Sequence, residues 1–375
     1  MEIQLTEIMK QLKVIISGGG SGGHIFPALA IAKSLEKKNK NIQFLFVGAK
    51  NKMEMEKIPS NGYDIKGLWI SGFQRRFTID NLLFPLKLLI SLISSYFIIK
   101  DFKPDLVIGT GGFASGPILY VSSKCKIPTL IQEQNSFPGI TNRILSRYVD
   151  KICVAYDNMN RFFKKDKIFF TGNPIREIIS NFNLSKNTGY DFFDLDKNQI
   201  TVLIIGGSLG ARTINQAISN GINFFKKNKI NLIWQTGISF NDKANKIVSV
   251  LNVKNIKNYQ FINRMDLAYK ACDIIVSRAG AIAISELCCI GKPIILVPSP
   301  NVAENHQYKN AQSLVNKNAA MLVNDSQAND KLVSTIESLM NNKELQNNLS
   351  KNIKDLEVKN SSNAIAEIAL KILNE

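Results

Sequence analysis

Val14-Ile15-Ile16-Ser17-Gly18-Gly19-Gly20-Ser21-Gly22-Gly23-His24 carries a plan that returns far downstream as Val202-Leu203-Ile204-Ile205-Gly206-Gly207-Ser208-Leu209-Gly210-Ala211-Arg212. Each stretch runs from a β-branched strand into a glycine turn and then into a helical pattern, the first from His24 to Leu35. The unpaired N–H groups and the dipole at a helix start favour an anion, so each device predicts a phosphate cradle. Two cradles far apart in one chain predict two Rossmann-like halves of an α/β protein. That pattern points to an enzyme of nucleotide-sugars.

Gly18, Gly20 and Gly23 match the dinucleotide fingerprint, which also requires an acid at the end of the second strand for the ribose. Strand 42–48 ends in Val47-Gly48-Ala49-Lys50, with no acid before Glu54. A nicotinamide dinucleotide is therefore excluded. Asp194-Leu195-Asp196 imitates a metal-binding DxD, but it stands in a polar loop before a strand and reads as a turn. No metal or other cofactor is implied.

At 375 residues the chain has room for two full cores. Lys and Arg number 47 against 30 Asp and Glu, for a net charge of +17. This balance suits phosphorylated substrates or an anionic membrane surface. Basic runs interleaved with aromatics are absent, which argues against nucleic acid. The five cysteines show no metal spacing and read as core residues of a reducing compartment. With only His24 and His306, a histidine-rich metal site is ruled out. Residues 1–11 are mixed polar, without the apolar core of a signal peptide.

Strand signals at 105–109, 128–132, 231–235, 273–277 and 293–297 alternate with helical ones, as parallel sheets require. Gly172-Asn173-Pro174 marks an interdomain break. The domains expected are 1–173 and 174–354, with an amphipathic segment near 355–375 crossing back onto the first. Residues 82–99 are apolar enough to suggest a membrane span. Pro85 and Lys87 interrupt them, however, and Lys87, Ser91, Ser94 and Ser95 share a helical face opposite Leu86, Leu89, Ile93 and Phe97. A core helix is expected. Arg75-Arg76-Phe77 with Ile79, Leu82, Leu83 and Phe84 form a basic-apolar knuckle, either packed or docked on a bilayer.

Further motifs follow in order. They are Gly111-Gly112-Phe113-Ala114-Ser115-Gly116-Pro117, Glu133-Gln134-Asn135, Gly172-Asn173-Pro174-Ile175-Arg176, Ser277-Arg278-Ala279-Gly280-Ala281 through Glu286, and His306-Gln307-Tyr308. With the two glycine turns, this series resembles the MurG family of UDP-N-acetylglucosamine transferases across residues 12 to 370. The resemblance implies a GT-B fold, two Rossmann-like domains with parallel sheets facing a central cleft. It implies transfer of GlcNAc from UDP-GlcNAc to the C4 hydroxyl of MurNAc in a lipid-linked pyrophosphoryl acceptor (lipid I), with inversion and without a required metal. The place implied is the cytoplasmic face of the bacterial inner membrane, peripherally bound, with cell-wall synthesis proteins as candidate partners.

By the same resemblance, Ser208 and Arg176 hold the donor diphosphate and the amides of Ala281, Ile282, Ala283, Ile284 and Ser285 face it. Glu286 accepts the ribose hydroxyls, Ile262 meets uracil through its backbone, and Gln307 bonds GlcNAc. On the acceptor side Ser21, Gly22 and Gly23 cradle a phosphate and Asn135 bonds a sugar, with His24 or Glu133 as general base. The chain departs from the common family pattern at Gln132 (usually His), Leu209 (usually Gln) and Ala283 (usually Thr), and more mildly at Ser21 and Phe113. Rival readings are a UDP-GlcNAc 2-epimerase or glycolipid glycosyltransferase of the same fold, and a non-catalytic nucleotide-sugar-binding membrane protein.

Overall fold

The computed structural model describes residues 11–72, 79–180, 185–207 and 210–374. The chain divides into two compact units, Met1–Ile175 with Asn360–Glu375, and Arg176–Lys359.

Unit 1 is built on strands β1 (Leu12–Gly18), β2 (Ile42–Ala49), β3 (Ile65–Leu68), β4 (Leu106–Gly111), β5 (Thr129–Glu133), β6 (Lys151–Val154) and β7 (Ile168–Phe170). They lie in the order β3-β2-β1-β4-β5-β6-β7, and every pairing is parallel. Alternate residues of β1 feed opposite faces, as the pleat demands. Val14 and Ile16 join Phe44, Phe46, Leu106 and Ile108 under the helices Gly22–Lys38 and Ser361–Lys371. Ile15 joins Leu45, Val47, Val107 and Ile131 on the other face. The last helix is fixed to unit 1 by Ile365, Ala366 and Ala369 in that core and by bonds from Ser34 Oγ to Asn363 Oδ1 (2.6 Å) and from Lys38 Nζ to Glu367 Oε1 (2.8 Å).

Unit 2 repeats the plan with β8 (Thr201–Ile205), β9 (Asn231–Gln235), β10 (Ile256–Tyr259), β11 (Ile274–Ser277), β12 (Ile294–Leu296) and β13 (Met321–Leu322). Its order is β10-β9-β8-β11-β12-β13, again all parallel. In both units the strand order reverses beside the strand that carries the glycine turn, between β1 and β4 and between β8 and β11. Ligand sites of open α/β sheets form at that reversal, at the carboxyl ends of the strands.

The helix Phe84–Phe102 corrects the expected faces. Lys87, Ser91 and Ser95 are buried, whereas Leu86, Leu89, Ile93 and Phe97 are each about half exposed (48–55%). The polar face is turned inward because it has partners there. Lys87 Nζ donates to Ser71 Oγ (3.2 Å) and sits over the Trp69 ring, Ser91 Oγ donates to the Trp69 carbonyl (3.1 Å), and Ser95 Oγ to the Ser91 carbonyl (2.7 Å). Arg75, Arg76 and Phe77 of the knuckle lie outside the described residues. Among the described residues no helix is long and apolar enough to cross a membrane.

Candidate active site

In unit 1, Ser21 caps the helix Gly22–Lys38 with extended backbone and no side-chain bond, so Gly22, Gly23 and His24 form its first turn. His24 N donates to the Ser21 carbonyl (3.1 Å). The imidazole Nδ1 lies 2.9 Å from the Thr110 carbonyl, at the end of β4, and 3.1 Å from Gln134 Oε1. Gln134 Nε2 donates to that same Thr110 carbonyl (2.7 Å), which orients the amide with its oxygen toward the ring. Nδ1 thus faces two acceptors and carries the proton, and the lone pair falls on Nε2. A base needs this tautomer.

Glu133 is arranged differently. Its buried carboxylate accepts from Asn135 N (2.9 Å), Asn135 Nδ2 (3.1 Å), Gly139 N (3.2 Å) and Asn142 Nδ2 (2.8 Å). Burial pushes its pKa up, while these donors pull the other way. Both oxygens are committed to shaping the loop after β5, a role for a structural acid rather than for a base. Asn135 is held half-buried by the same carboxylate. Gln132, where the family commonly has His, bonds Asn173 Oδ1 (2.9 Å) and accepts from Gln134 Nε2, so it serves the same network.

Both glycine turns are closely packed from within: in the second, a Cβ at Gly206 would meet Ala211 N at 2.5 Å and one at Gly210 the Thr236 carbonyl at 2.2 Å. Around β1 the glycines are filled from within, because a Cβ at Gly18 would meet Thr110 Oγ1 at 1.9 Å, at Gly19 Glu54 Oε1 at 2.1 Å and at Gly20 the Phe113 ring at 2.9 Å. Among the described residues, a Cβ at Gly207 or Gly280 would meet nothing within 4 Å. Gly280 caps the helix Ala281–Ile290 with extended backbone. Ala281 and Ile284 bury their side chains, leaving only backbone toward a ligand, while Ile282, Ala283 and Ser285 are partly exposed. Ser208 and Leu209 lie outside the described residues.

Arg176 and Glu286 meet, and they hold each other. Arg176 Nε donates to Glu286 Oε1 and Nη2 to Oε2, both at 2.7 Å, in a bidentate fork. Burial draws the guanidinium's pKa down, but the fork outweighs it and holds the group above its usual range. Tyr269, buried beside them, donates weakly to Glu286 Oε2 (3.5 Å), and desolvation raises its phenol well above normal. Arg278 is consumed by the protein. Its Nη1 reaches the Val297 carbonyl (3.0 Å) and Asp325 Oδ1 (2.5 Å), and its Nη2 reaches Thr213 Oγ1 (3.0 Å).

Ile262 is buried and its N–H donates to Gln235 Oε1 (3.1 Å). Gln235 Nε2 in turn donates to the Gly207 carbonyl (3.0 Å), tying the glycine turn to the Ile262 segment. Gln307 Oε1 accepts from Ser299 N (2.8 Å). Asp194 and Asp196 serve a turn. Asp194 pairs with Lys257 (2.8 Å), and Asp196 accepts from Asn198 N and Gln199 Nε2, both at 2.9 Å.

Gln134 and Gln235 were missed as site residues by sequence reasoning. Their only signal is position, one just past and one at the carboxyl end of a strand that neighbours a strand of the reversal.

Comparison with known proteins decides the family. Residues 14–154 match the N-terminal domain of glycosyltransferase family 28, and residues 201–366 match its C-terminal domain. A relative from Flavobacterium psychrophilum is 51% identical over 97% of this chain and 99% of its own length. It is named UDP-N-acetylglucosamine–N-acetylmuramyl-(pentapeptide) pyrophosphoryl-undecaprenol N-acetylglucosamine transferase. The chain belongs to the MurG branch of glycosyltransferase family 28. A second MurG-type relative of the same name, from Parabacteroides distasonis, is 44% identical over 98% of this chain and all of its own. The solved structure of Acinetobacter baumannii MurG superposes with a TM-score of 0.77 at 25% identity, covering 96% of this chain and 99% of that one. The fold is that of the GT-B glycosyltransferases, and the chain is a family 28 hexosyltransferase.

Proposed function

We propose that this chain moves GlcNAc from UDP-GlcNAc onto the C4 hydroxyl of MurNAc in undecaprenyl-pyrophosphoryl-MurNAc-pentapeptide, making lipid II for peptidoglycan. His24 Nε2 takes the proton from the acceptor hydroxyl as its oxygen attacks the anomeric carbon. The bond to the UDP oxygen breaks, with inversion, and UDP leaves carrying the negative charge. Amides of Ala281, Ile282 and Ala283, with Arg176, stabilise that charge. Donor arrival then exchanges the fork, so that Arg176 turns to the diphosphate and Glu286 accepts the ribose hydroxyls. Ser208 adds a diphosphate bond, the Ile262 carbonyl contacts uracil and Gln307 bonds the sugar. On the acceptor side the amides of Gly22 and Gly23, beside Ser21, take a phosphate, and Asn135 bonds a sugar. Glu133 holds the loop that carries Asn135.

The observation that supports the placement of the donor is the space a Cβ would find at Gly207 and Gly280, with nothing within 4 Å among the described residues.

The finer location rests on the helix Phe84–Phe102. Leu86, Leu89, Ile93 and Phe97 expose one apolar face, Leu82 just before the helix is 82% exposed, and the chain's net charge is +17. A contiguous apolar face of this kind on a basic protein suits an anionic bilayer, where the lipid acceptor resides. In this reading the protein binds peripherally to the cytoplasmic face of the inner membrane, near other cell-wall synthesis proteins.

The test is incubation with labelled UDP-GlcNAc and a short-chain lipid I analogue in EDTA. A β-1,4 disaccharide lipid is the expected product. Conversion of UDP-GlcNAc alone to its C2 epimer, or binding without transfer, would overturn the assignment.

A further inference from the structure

The first glycine turn already contains an anion. Glu54 is fully buried, and its carboxylate accepts from Gly20 N at 3.1 Å (Oε1) and 3.0 Å (Oε2) and from Ala49 N at 3.0 Å (Oε1). Among the described residues no lysine or arginine reaches it; its donors are backbone N–H groups. Its approach is close enough to dictate two glycines. A Cβ at Gly19 would lie 2.1 Å from Oε1, and one at Gly48 would lie 2.5 Å from Glu54 Cγ.

A buried carboxylate is costly unless its oxygens are bonded, so this arrangement holds the turn as firmly as the turn holds it. The consequences reach the candidate base. Gly20, at φ +83°, stands directly before Ser21, the cap of the helix whose first turn contains His24. The Gly19 carbonyl packs so closely on Gly112 that a Cβ there would come within 2.2 Å of it and 3.1 Å of the His24 ring.

We propose that Glu54 is a positioning residue of the acceptor half: its carboxylate occupies the inner anion position of the first glycine turn and, through the Gly20 amide, sets the register in which His24 and the Gly22 and Gly23 amides are presented. The carboxylate fills the turn from behind, leaving the outer amides for an acceptor phosphate. This inference rests on the proposed transfer reaction for its kinetic readout, and on the anion site alone for its binding readout.

Two variants test it. Glu54→Gln keeps the shape but replaces one acceptor oxygen with an NH2 group facing the Gly20 N–H. It should fold and bind UDP as the wild type does, yet lose about tenfold or more in kcat, since small misplacement of a catalytic group costs up to about 10²-fold. Glu54→Ala leaves a hole the size of a small carboxylate. Acetate should restore its kcat and raise its melting temperature saturably, whereas acetamide or sodium chloride at equal concentration should not.

Wild-type kcat in Glu54→Gln would overturn the proposal. So would equal rescue of Glu54→Ala by acetamide, which would make the side chain a space-filler only. Should Glu54→Ala fail to fold, Glu54→Gln decides. If the wild type transfers no GlcNAc, the proposed reaction fails by itself, and the acetate-specific rise in melting temperature still judges the anion site.

Discussion

A single ring orientation distinguishes the two acids and bases that compete at the acceptor half. His24 has its Nδ1 proton committed to the Thr110 carbonyl and Gln134 Oε1, while Glu133 has both oxygens filled by backbone and amide donors. Replacing His24 by Ala should therefore cut kcat by about 10²–10⁴-fold with the donor KM unchanged; steady-state kinetics with a lipid I analogue measures this, and a loss below tenfold would return the role to water. Glu286 and Arg176 should behave as a coupled pair, because each is the other's partner before the donor arrives. Glu286→Ala should raise the donor KM by about 10–100-fold through lost bonds to the ribose. Arg176→Lys should also impair binding, since an ammonium cannot reproduce the fork. A double-mutant cycle on UDP affinity should show the two effects to be non-additive; strict additivity would remove the exchange from the mechanism. The sequence named both residues through their motifs. Their mutual fork was invisible there, because 110 residues separate them and nothing in the spacing says which face each presents.

At the scale of the element, the helix Phe84–Phe102 shows where periodicity falls short. Its two faces are legible in the sequence, yet which one is buried depends on what waits inside, here the Trp69 carbonyl and Ser71. Leu86→Glu with Ile93→Glu should abolish sedimentation with anionic vesicles while changing stability by only about 0.5 kcal/mol, because both positions are about half exposed. Unchanged vesicle binding would move the docking surface elsewhere. The core strands β1, β4, β5, β8, β9, β11 and β12 were readable as apolar runs, since both faces of each are covered. The edge strands β3, β7, β10 and β13 were not; Lys66 and Gly67 break the apolar run in β3, and Lys257 and Asn258 in β10.

For the whole molecule, the two units should respond separately to ligand. UDP at a hundred times its Kd adds about 2.7 kcal/mol to whatever binds it. Hydrogen exchange should therefore slow at the ends of β8, β9 and β11 and in the helix Ala281–Ile290, with the strands of unit 1 unaffected; protection centred on residues 14–24 would place the donor in the other unit. The cysteines give a second reading of the whole fold. Burial pushes the thiols of Cys153, Cys272 and Cys288 up to about 12 and that of Cys289 to about 11, while Cys125 is exposed. A thiol with a raised pKa stays protonated and unreactive until pH approaches that value. At pH 8 a disulfide reagent should thus titrate one thiol in the native protein and five after denaturation.

The sequence by itself determined the doubly repeated strand–turn–helix plan, the parallel sheets and the family, because glycine turns and buried strands are written in contiguous residues. Only the tertiary structure decided that Glu54 fills the first glycine turn from behind. It alone decided that Gln134 and Gln235 orient the site and that the long helix shows its apolar face. Each of those depends on atoms brought together from distant segments, where the choice among partners is made by packing and by the need of every buried polar group for a hydrogen bond.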